Sequence, residues 1–322
     1  ERPGMPDTEA VTSTVVAFSF LVALSYGMRR VGVFRAEDSE AFSRLLLELI
    51  LPGVIFAHLA THRVDRDQLL LVSAMGVSEV TCLALVWMLG RSLRLPHPRL
   101  GSFLMAAGFS CSALMGYSVV PYIYPGDDRA FQDAVLVSEL GNAMPFYTLA
   151  PVIAMHFGEL GGDRARERAA ILHFFRTPIF AALALGILLS PLGFNPQGTV
   201  LEPLFEAALM AGGATTLVAA LIVGMHFQPS AVGRALPLVA AAIIVKLIAQ
   251  PLVAGVTAAG LGLPLDARGV VVLEAAMPSA MLVPVFALRY RCDSELASAL
   301  VMGTILTSML TVPLAFRWFT VP

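Results

Sequence analysis

The chain alternates long apolar stretches with short polar connections. A helix needs about 20 apolar residues to cross the hydrocarbon of a bilayer. Ten stretches are close to that length or exceed it: 11–28, 39–60, 69–89, 100–124, 131–157, 171–190, 201–224, 235–259, 269–289 and 296–319. The pattern therefore predicts an all-α membrane protein with ten transmembrane helices and no soluble domain between them.

Two of these stretches carry an interruption at mid-depth. The ninth holds Met277-Pro278-Ser279-Ala280 at its centre, and the fourth holds Ser110-Cys111-Ser112-Ala113. Within lipid every backbone N–H and C=O needs a partner, so such residues are tolerated there only where protein or a water-lined cavity supplies one. Both stretches are accordingly expected to be broken helices. Matching interruptions in the two halves of a membrane protein point to a transporter's binding site.

The halves also align. Leu93-Arg94-Leu95-Pro96 matches Leu261-Gly262-Leu263-Pro264 at an offset of 168. The same offset lays Ser110 on Pro278, Pro145 on Pro313, and Ser78, the neighbour of Glu79, on Lys246. Five spans per half is an odd number, so the two repeats must have opposite topology, with broken fourth and ninth spans crossing near the midplane. The expected organisation is an N-terminal tail over 1–10, a first five-helix repeat over 11–157, a cytoplasmic connection over 158–170 and a second repeat over 171–322. The N-terminus has no basic region followed by a short apolar core and a cleavage site, so no cleavable signal peptide is expected.

Composition agrees, with 57% hydrophobic and only 14% charged residues against roughly 25% charged in a soluble domain. No basic face is present, which argues against nucleic acid as a partner. Arginine placement sets an orientation, because short cytoplasmic loops are enriched in basic residues. The odd-numbered connections hold twelve arginines and the opposite side five, so both termini are expected outside the cytoplasm, in a plasma (inner) membrane. Cys82 and Cys111 fall in apolar spans and Cys292 in a connection, which suggests no disulfide framework.

Candidate chemistry lies at the depth of the interruptions. Lys246 is the only lysine of the chain, about ten residues into the eighth span. A charge there costs from about 2.5 to over 10 kcal/mol, so it is read as paired, neutral or facing a polar cavity. Glu79 in the third span is a candidate counter-charge. Gln250 shares a face with Lys246, since residues four apart are neighbours on a helix. Glu139 and Asn142 lie mid-way along the fifth span, and Glu274 stands one turn before Pro278. Each break also creates a half-helix N-terminus whose N–H groups attract anions, which makes Ser110, Cys111, Ser112, Pro278 and Ser279 candidate substrate-binding positions, together with Asn142. Arg44 and Glu48 are expected to form a local pair. Asp127, Asp128 and Asp133 are read as solvated charges and a helix start. His58 and His156 lack ligand spacing, so no metal and no cofactor is expected.

Several of these segments resemble a known family. Gly27-Met28-Arg29-Arg30-Val31-Gly32 with 51–56 (LPGVIF), Arg176-Thr177-Pro178, Lys246 through Pro251-Leu252, and above all Ala275-Ala276-Met277-Pro278-Ser279-Ala280 with Ala287-Leu288-Arg289-Tyr290 are similar to the auxin efflux carrier family. The chain looks like a bacterial member of it. The resemblance implies two inverted five-helix repeats with crossed broken helices, similar to the bile acid and sodium symporters, and an elevator-type motion. It also implies organic-anion substrates such as auxin-like, malate-like or malonate-like carboxylates, no obvious need for sodium, and a homodimer by analogy with plant relatives. One departure stands out. Where such carriers usually have Pro-Asn-Thr-Gly at the fourth-span break, this chain has Ser110-Cys111-Ser112-Ala113, and Cys111 is a poor substitute for the substrate-contacting amide.

The expected function is a secondary active transporter of a small organic anion, with Lys246 and Glu79 linking a proton or the membrane potential to transport. Two other classes are weighed against it. An intramembrane enzyme would need a positioned nucleophile or metal, and no His-Glu-x-x-His or Gly-x-Ser-x-Gly occurs; a solute-binding sensor would bind without flux.

Overall fold

The computed structural model describes residues 8–35, 37–61, 65–116, 120, 123–124, 127–158, 172, 176–192, 194–226, 233 and 235–320. Among them the regular structure is helical. In chain order the helices are α1 (Thr8–Arg30), α2 (Asp38–Thr61), α3 (Arg66–Ser92) and α4 (His97–Gly108). Next comes α5, which runs from Asp128–Leu136 through a π-helical stretch, Val137–Ala143, into Met144–Phe157. Then follow α6 (Pro178–Leu189), α7 (Glu202–Gly212), α8 (Thr215–His226), α9 (Leu236–Gly260), α10 (Leu265–Ala275), α11 (Val283–Arg289) and α12 (Ser294–Thr320). Among the described residues α2, α3, α9 and the 294–316 part of α12 are long and apolar enough to cross a membrane.

Local chemistry accounts for the ends of these helices. Asp65 and Gln68 cap α3 reciprocally: the Gln68 N–H donates to Asp65 Oδ1 at 2.9 Å and the Asp65 N–H to Gln68 Oε1 at 3.0 Å, which satisfies two end donors at once. Asp127 accepts from the Ala130 N–H at 3.0 Å to start α5, and Asp293 accepts from the Leu296 N–H at 2.9 Å to start α12. Thr177 caps α6 ahead of Pro178. Of the apolar run over 171–190, residues 171 and 173–175 lie outside the described residues.

The joints α3–α4 and α9–α10 repeat one another bond for bond. Leu93, Arg94 and Leu95 donate to the carbonyls of Leu89, Arg91 and Gly90, and Leu261, Gly262 and Leu263 donate to those of Thr257, Ala259 and Ala258. Each acceptor is displaced by the same 168 positions as its donor. Arg94 (φ 51°) and Gly262 (φ 73°) both take the left-handed conformation that ends helices in this way.

Three expectations need correction. The seventh span is not one helix, because the chain turns at Gly213-Ala214 between α7 and α8, where Gly213 donates back to the Leu209 carbonyl. Adjacent glycines favour such a stop, since glycine is about 1 kcal/mol poorer than alanine inside a helix. Arg44 pairs with Glu40 at 2.5 Å, not with Glu48; the backward partner lies in α-helical turns, whereas Glu48 lies in the π-helical stretch Leu45–Ile50 that begins just after Arg44. Asp133 is buried rather than solvated, in the Asp128–Leu136 part of α5 that packs against α10.

The chain divides into two packing units that cut across the sequence halves: 17–69 with 172–226, and 1–16 with 70–171 and 227–322. The first unit holds most of α1 together with α2, α6, α7 and α8. Its helices approach closely at small residues. A Cβ on Gly186 would stand 2.7 Å from Leu59 Cβ, one on Gly212 2.5 Å from Val54 Cγ2, and one on Gly224 2.4 Å from Ser25 Cβ. Small residues at helix contacts are what association in lipid favours. Ser25 and Arg29 of α1 donate to the Leu221 and Met225 carbonyls of α8, at 2.8 and 2.6 Å.

The second unit holds α3, α4, α5 and α9 through α12. Its core joins Leu71, Ala74 and Met75 of α3 to Val137 of α5, Ala254 and Ala258 of α9, and Val271 and Ala275 of α10. All of the candidate site residues fall in this unit.

Candidate functional site

The two interrupted stretches are discontinuous, and they meet. α4 stops at Gly108 and α10 at Ala275. Beyond them Ser110 and Ser279 form an isolated antiparallel bridge: the Cys111 N–H donates to the Pro278 carbonyl at 2.6 Å and the Ala280 N–H to the Phe109 carbonyl at 3.0 Å. Each break thus satisfies buried backbone groups of the other, which is the condition for irregular backbone inside an apolar protein. Four of the backbone donors that the sequence offers to an anion are already engaged, those of Cys111 and Ala280 in the bridge and those of Ser110 and Ser279 with side chains.

Those side chains come from α5 and α12. Asn142 accepts from the Ser110 N–H at 3.0 Å and donates to the Ser110 carbonyl at 2.8 Å and to Ser112 Oγ at 2.7 Å. Both amide hydrogens are spent on the first break. On the other side Thr304 accepts from the Ser279 N–H at 3.2 Å and donates to Ser279 Oγ at 2.9 Å. Phe146 packs its ring against Phe109 of the first break and Phe286 of α11, at 5.4 and 5.5 Å between centroids, so the pairing is flanked by aromatic surface.

Lys246 reaches this pairing from α9. It is fully buried, in the π-helical stretch Ile244–Ala249. Its ammonium donates to Ser110 Oγ at 2.5 Å, to Gln250 Oε1, and to the Ala275 carbonyl at 3.2 Å. An ammonium has three donors and no acceptor, so these three neutral oxygens fill its hydrogen-bonding capacity. The geometry brings together Lys246, Gln250, Ser110, Ser112, Asn142, Pro278 and Ser279, while Cys111 contributes its backbone to the bridge.

The acids lie around this centre. Glu79 is buried, and neither of its carboxylate oxygens has a hydrogen-bond partner among the described residues. Cys82, three residues on and on the same side of α3, donates to the Val245 carbonyl at 3.7 Å, which turns Glu79 toward the Lys246 stretch. Within 4 Å no ion pair joins Glu79 to Lys246 among the described residues. Glu274 accepts from the Ser138 hydroxyl at 2.7 Å. Glu139 is buried in the same π-helical turn as Ser138 and Asn142. No group of metal-binding side chains occurs among the described residues.

Ser138 and Thr304 were not singled out by the sequence. Ser138 sits four residues before Asn142, a spacing that places both on one face of α5. Thr304 has no local signal, because its role depends on where α12 packs against the second break.

A family model described as membrane transport protein matches residues 10–159 and 164–316. The chain is 27% identical over 319 residues to a protein of Methanothermobacter thermautotrophicus named as an uncharacterized transporter, covering 94% of this chain and 96% of the relative. It is 20% identical over 305 residues to an uncharacterized transporter of Methanocaldococcus jannaschii, covering 93% and 96%. With a match that runs almost end to end on a helical scaffold whose buried polar groups gather at two paired breaks, the chain belongs to the membrane transport protein family, that of the auxin efflux carriers, and is a multi-pass membrane transporter.

Proposed function

We propose that the protein is a secondary active carrier of a small organic anion, a mono- or dicarboxylate, working by elevator-type alternating access. The observation that carries this reading is the buried ammonium of Lys246, held only by neutral oxygens at the point where the two breaks pair. A positive charge with no counter-anion in contact, in a medium of low dielectric, attracts an anion strongly. Ser110, which accepts from Lys246 and is clasped by Asn142, makes the first break part of the same centre. Ser112, Pro278 and Ser279 border it.

The two packing units supply the parts of an elevator, a transport unit of α3–α5 and α9–α12 and a scaffold of α2 with α6–α8. The matched joints at an offset of 168 support two repeats, whose five spans each make them inverted; the arginine distribution puts both termini outside the cytoplasm of a plasma membrane, and a homodimer follows the analogy with plant relatives. Coupling runs through the two buried ionisable side chains Lys246 and Glu79, whose proton balance changes as the anion arrives and leaves.

The test is uptake of labelled malonate and indole-3-acetate into proteoliposomes, with and without sodium, at several pH values. Lys246→Ala is expected to lower saturable uptake at least tenfold. Uptake by Lys246→Ala equal to that of the unaltered protein at every pH would remove Lys246 from the mechanism. Binding with no flux would favour a sensor instead.

A further inference from the structure

The last turn of α10 ends in a carboxyl that the centre around Lys246 does not use. Glu274 is fully buried. Its Oε2 accepts from Ser138 at 2.7 Å, and its Oε1 has no hydrogen-bond partner among the described residues. Both oxygens rest on the backbone of Gly116, where an added Cβ would stand 2.2 Å from each of them. The glycine lets the π-helical segment Ser112–Gly116, just beyond the first break, lie directly on the carboxyl near the end of α10.

A buried carboxylate ion is normally held by two or three donors or by a cation. Glu274 has one hydroxyl. Among the described residues the charged and titratable side chains on the elements packed against α10 are Arg66, Asp67, Glu79 and Arg91 on α3, Arg129, Asp133, Glu139, Tyr147 and His156 on α5, Lys246 on α9 and Glu295 on α12, while α10 itself adds Asp266 and Arg268. Lys246 is committed to Ser110, Gln250 and the Ala275 carbonyl. Glu139, another acid, is buried on the turn of α5 that also carries Ser138. Among the described residues only the Ser138 hydroxyl compensates a negative charge there, and the orphan oxygen rests on the C–H side of Gly116. A neutral carboxyl accounts for the arrangement: Oε2 accepts from Ser138, and the proton sits on Oε1.

We infer that Glu274 is a proton-carrying site of this transporter, distinct from Lys246, which holds its proton while Gly116 lies against it and gives it up when the paired breaks separate. Ionised Glu274 needs further donors, and to reach water it must leave Gly116. Ser138 and Asn142 lie on one turn of α5, so the turn that clasps the first break also senses the carboxyl at the end of α10. Loss of the proton from Oε1 therefore loosens the pairing, and its return closes it. This deepens the carrier reading above and rests on it for the transport step.

The experiment has one readout that needs no substrate. Infrared difference spectroscopy of the purified protein at neutral pH is expected to show the C=O stretch of a protonated carboxyl. The band should be lost in Glu274→Gln, kept in Glu79→Gln and Lys246→Ala, and displaced in Ser138→Ala, which removes the hydroxyl donor. Raising the pH should abolish the band and lower the unfolding temperature of the unaltered protein, with the fall in temperature absent from Glu274→Gln. A spectrum without carboxyl C=O intensity at neutral pH, or one whose intensity Glu274→Gln leaves undiminished, overturns the proposal. If Glu274→Gln does not fold, the displacement in Ser138→Ala decides it, and an unmoved band counts against. A second readout compares malonate exchange at equal pH with accumulation driven by a pH gradient. Glu274→Gln should keep exchange within about threefold and lose accumulation, and retained accumulation overturns the coupling role. Should the unaltered protein move no carboxylate at all, the carrier reading fails while the infrared result still settles where the proton sits.

Discussion

Asn142 shows what a single side chain contributes here. Its amide uses three of its four hydrogen-bonding positions, two of them on the N–H and C=O of Ser110. A carboxamide suits this because it offers an acceptor and two donors on one planar group. Truncation leaves a backbone donor and acceptor buried without partners, each costing about 1–3 kcal/mol. Asn142→Ala is therefore expected to lower stability by about 3 kcal/mol, read as a fall in the unfolding midpoint in detergent. Asn142→Asp keeps the acceptor but loses both donors, and should recover little of it. A midpoint unchanged by Asn142→Ala would mean that Ser110 finds other partners. The sequence marks Asn142 as a polar residue at the depth of the breaks, but not as a backbone clasp, since its partners lie about 30 positions away in the chain and are fixed only by tertiary packing.

Elements were legible to different degrees, for physical reasons. The apolar runs announce the helices because lipid and core both demand long uninterrupted hydrophobicity. The breaks are legible because small, hydroxylated and proline residues at mid-depth conflict with that demand. The four π-helical stretches among the described residues, Leu45–Ile50, Ser112–Gly116, Val137–Ala143 and Ile244–Ala249, leave no such mark. A change from α to π spacing over six residues is too short to disturb a hydrophobic pattern that is apolar on every face. Yet three of them carry Ser112, Asn142 and Lys246, in keeping with the tendency of π-bulges to occur at functional sites. The paired joints α3–α4 and α9–α10 give an element-scale prediction. Arg94 and Gly262 hold equivalent left-handed positions, which cost a residue with a Cβ about 1 kcal/mol. Arg94→Gly should raise stability by about that amount, and Gly262→Ala should lower it by a similar one. Equal and opposite shifts in the unfolding midpoint would confirm that the joints are the same motif, whereas shifts of the same sign would not.

At the scale of the whole molecule, sequence order and packing part company. The repeat offset divides the chain at its middle, but each packing unit takes helices from both halves. Composition cannot reveal this, because every span is apolar and each could pack against any other; the sorting is done by specific contacts such as Gly212 against Val54 in one unit and the Asn142 clasp in the other. Each of these draws its partners from its own unit, and substitutions without shared partners add within about 0.5 kcal/mol. Gly212→Val places a branched side chain where a Cβ alone would stand 2.5 Å from Val54 Cγ2, an overpacking expected to cost about 1–3 kcal/mol. Combined with Asn142→Ala, its effect on the unfolding midpoint should be the sum of the two single effects. Ser138→Ala combined with Asn142→Ala should fall short of its sum, because both side chains leave the same turn of α5 to hold the same pair of breaks, and the first loss already weakens what the second would remove. Non-additivity in the first pair would mean that the two units share an energetic core. Additivity in the second would mean that the clasp on Ser110 and the hydroxyl on Glu274 act independently, and the proton on Glu274 would then have no route to the pairing.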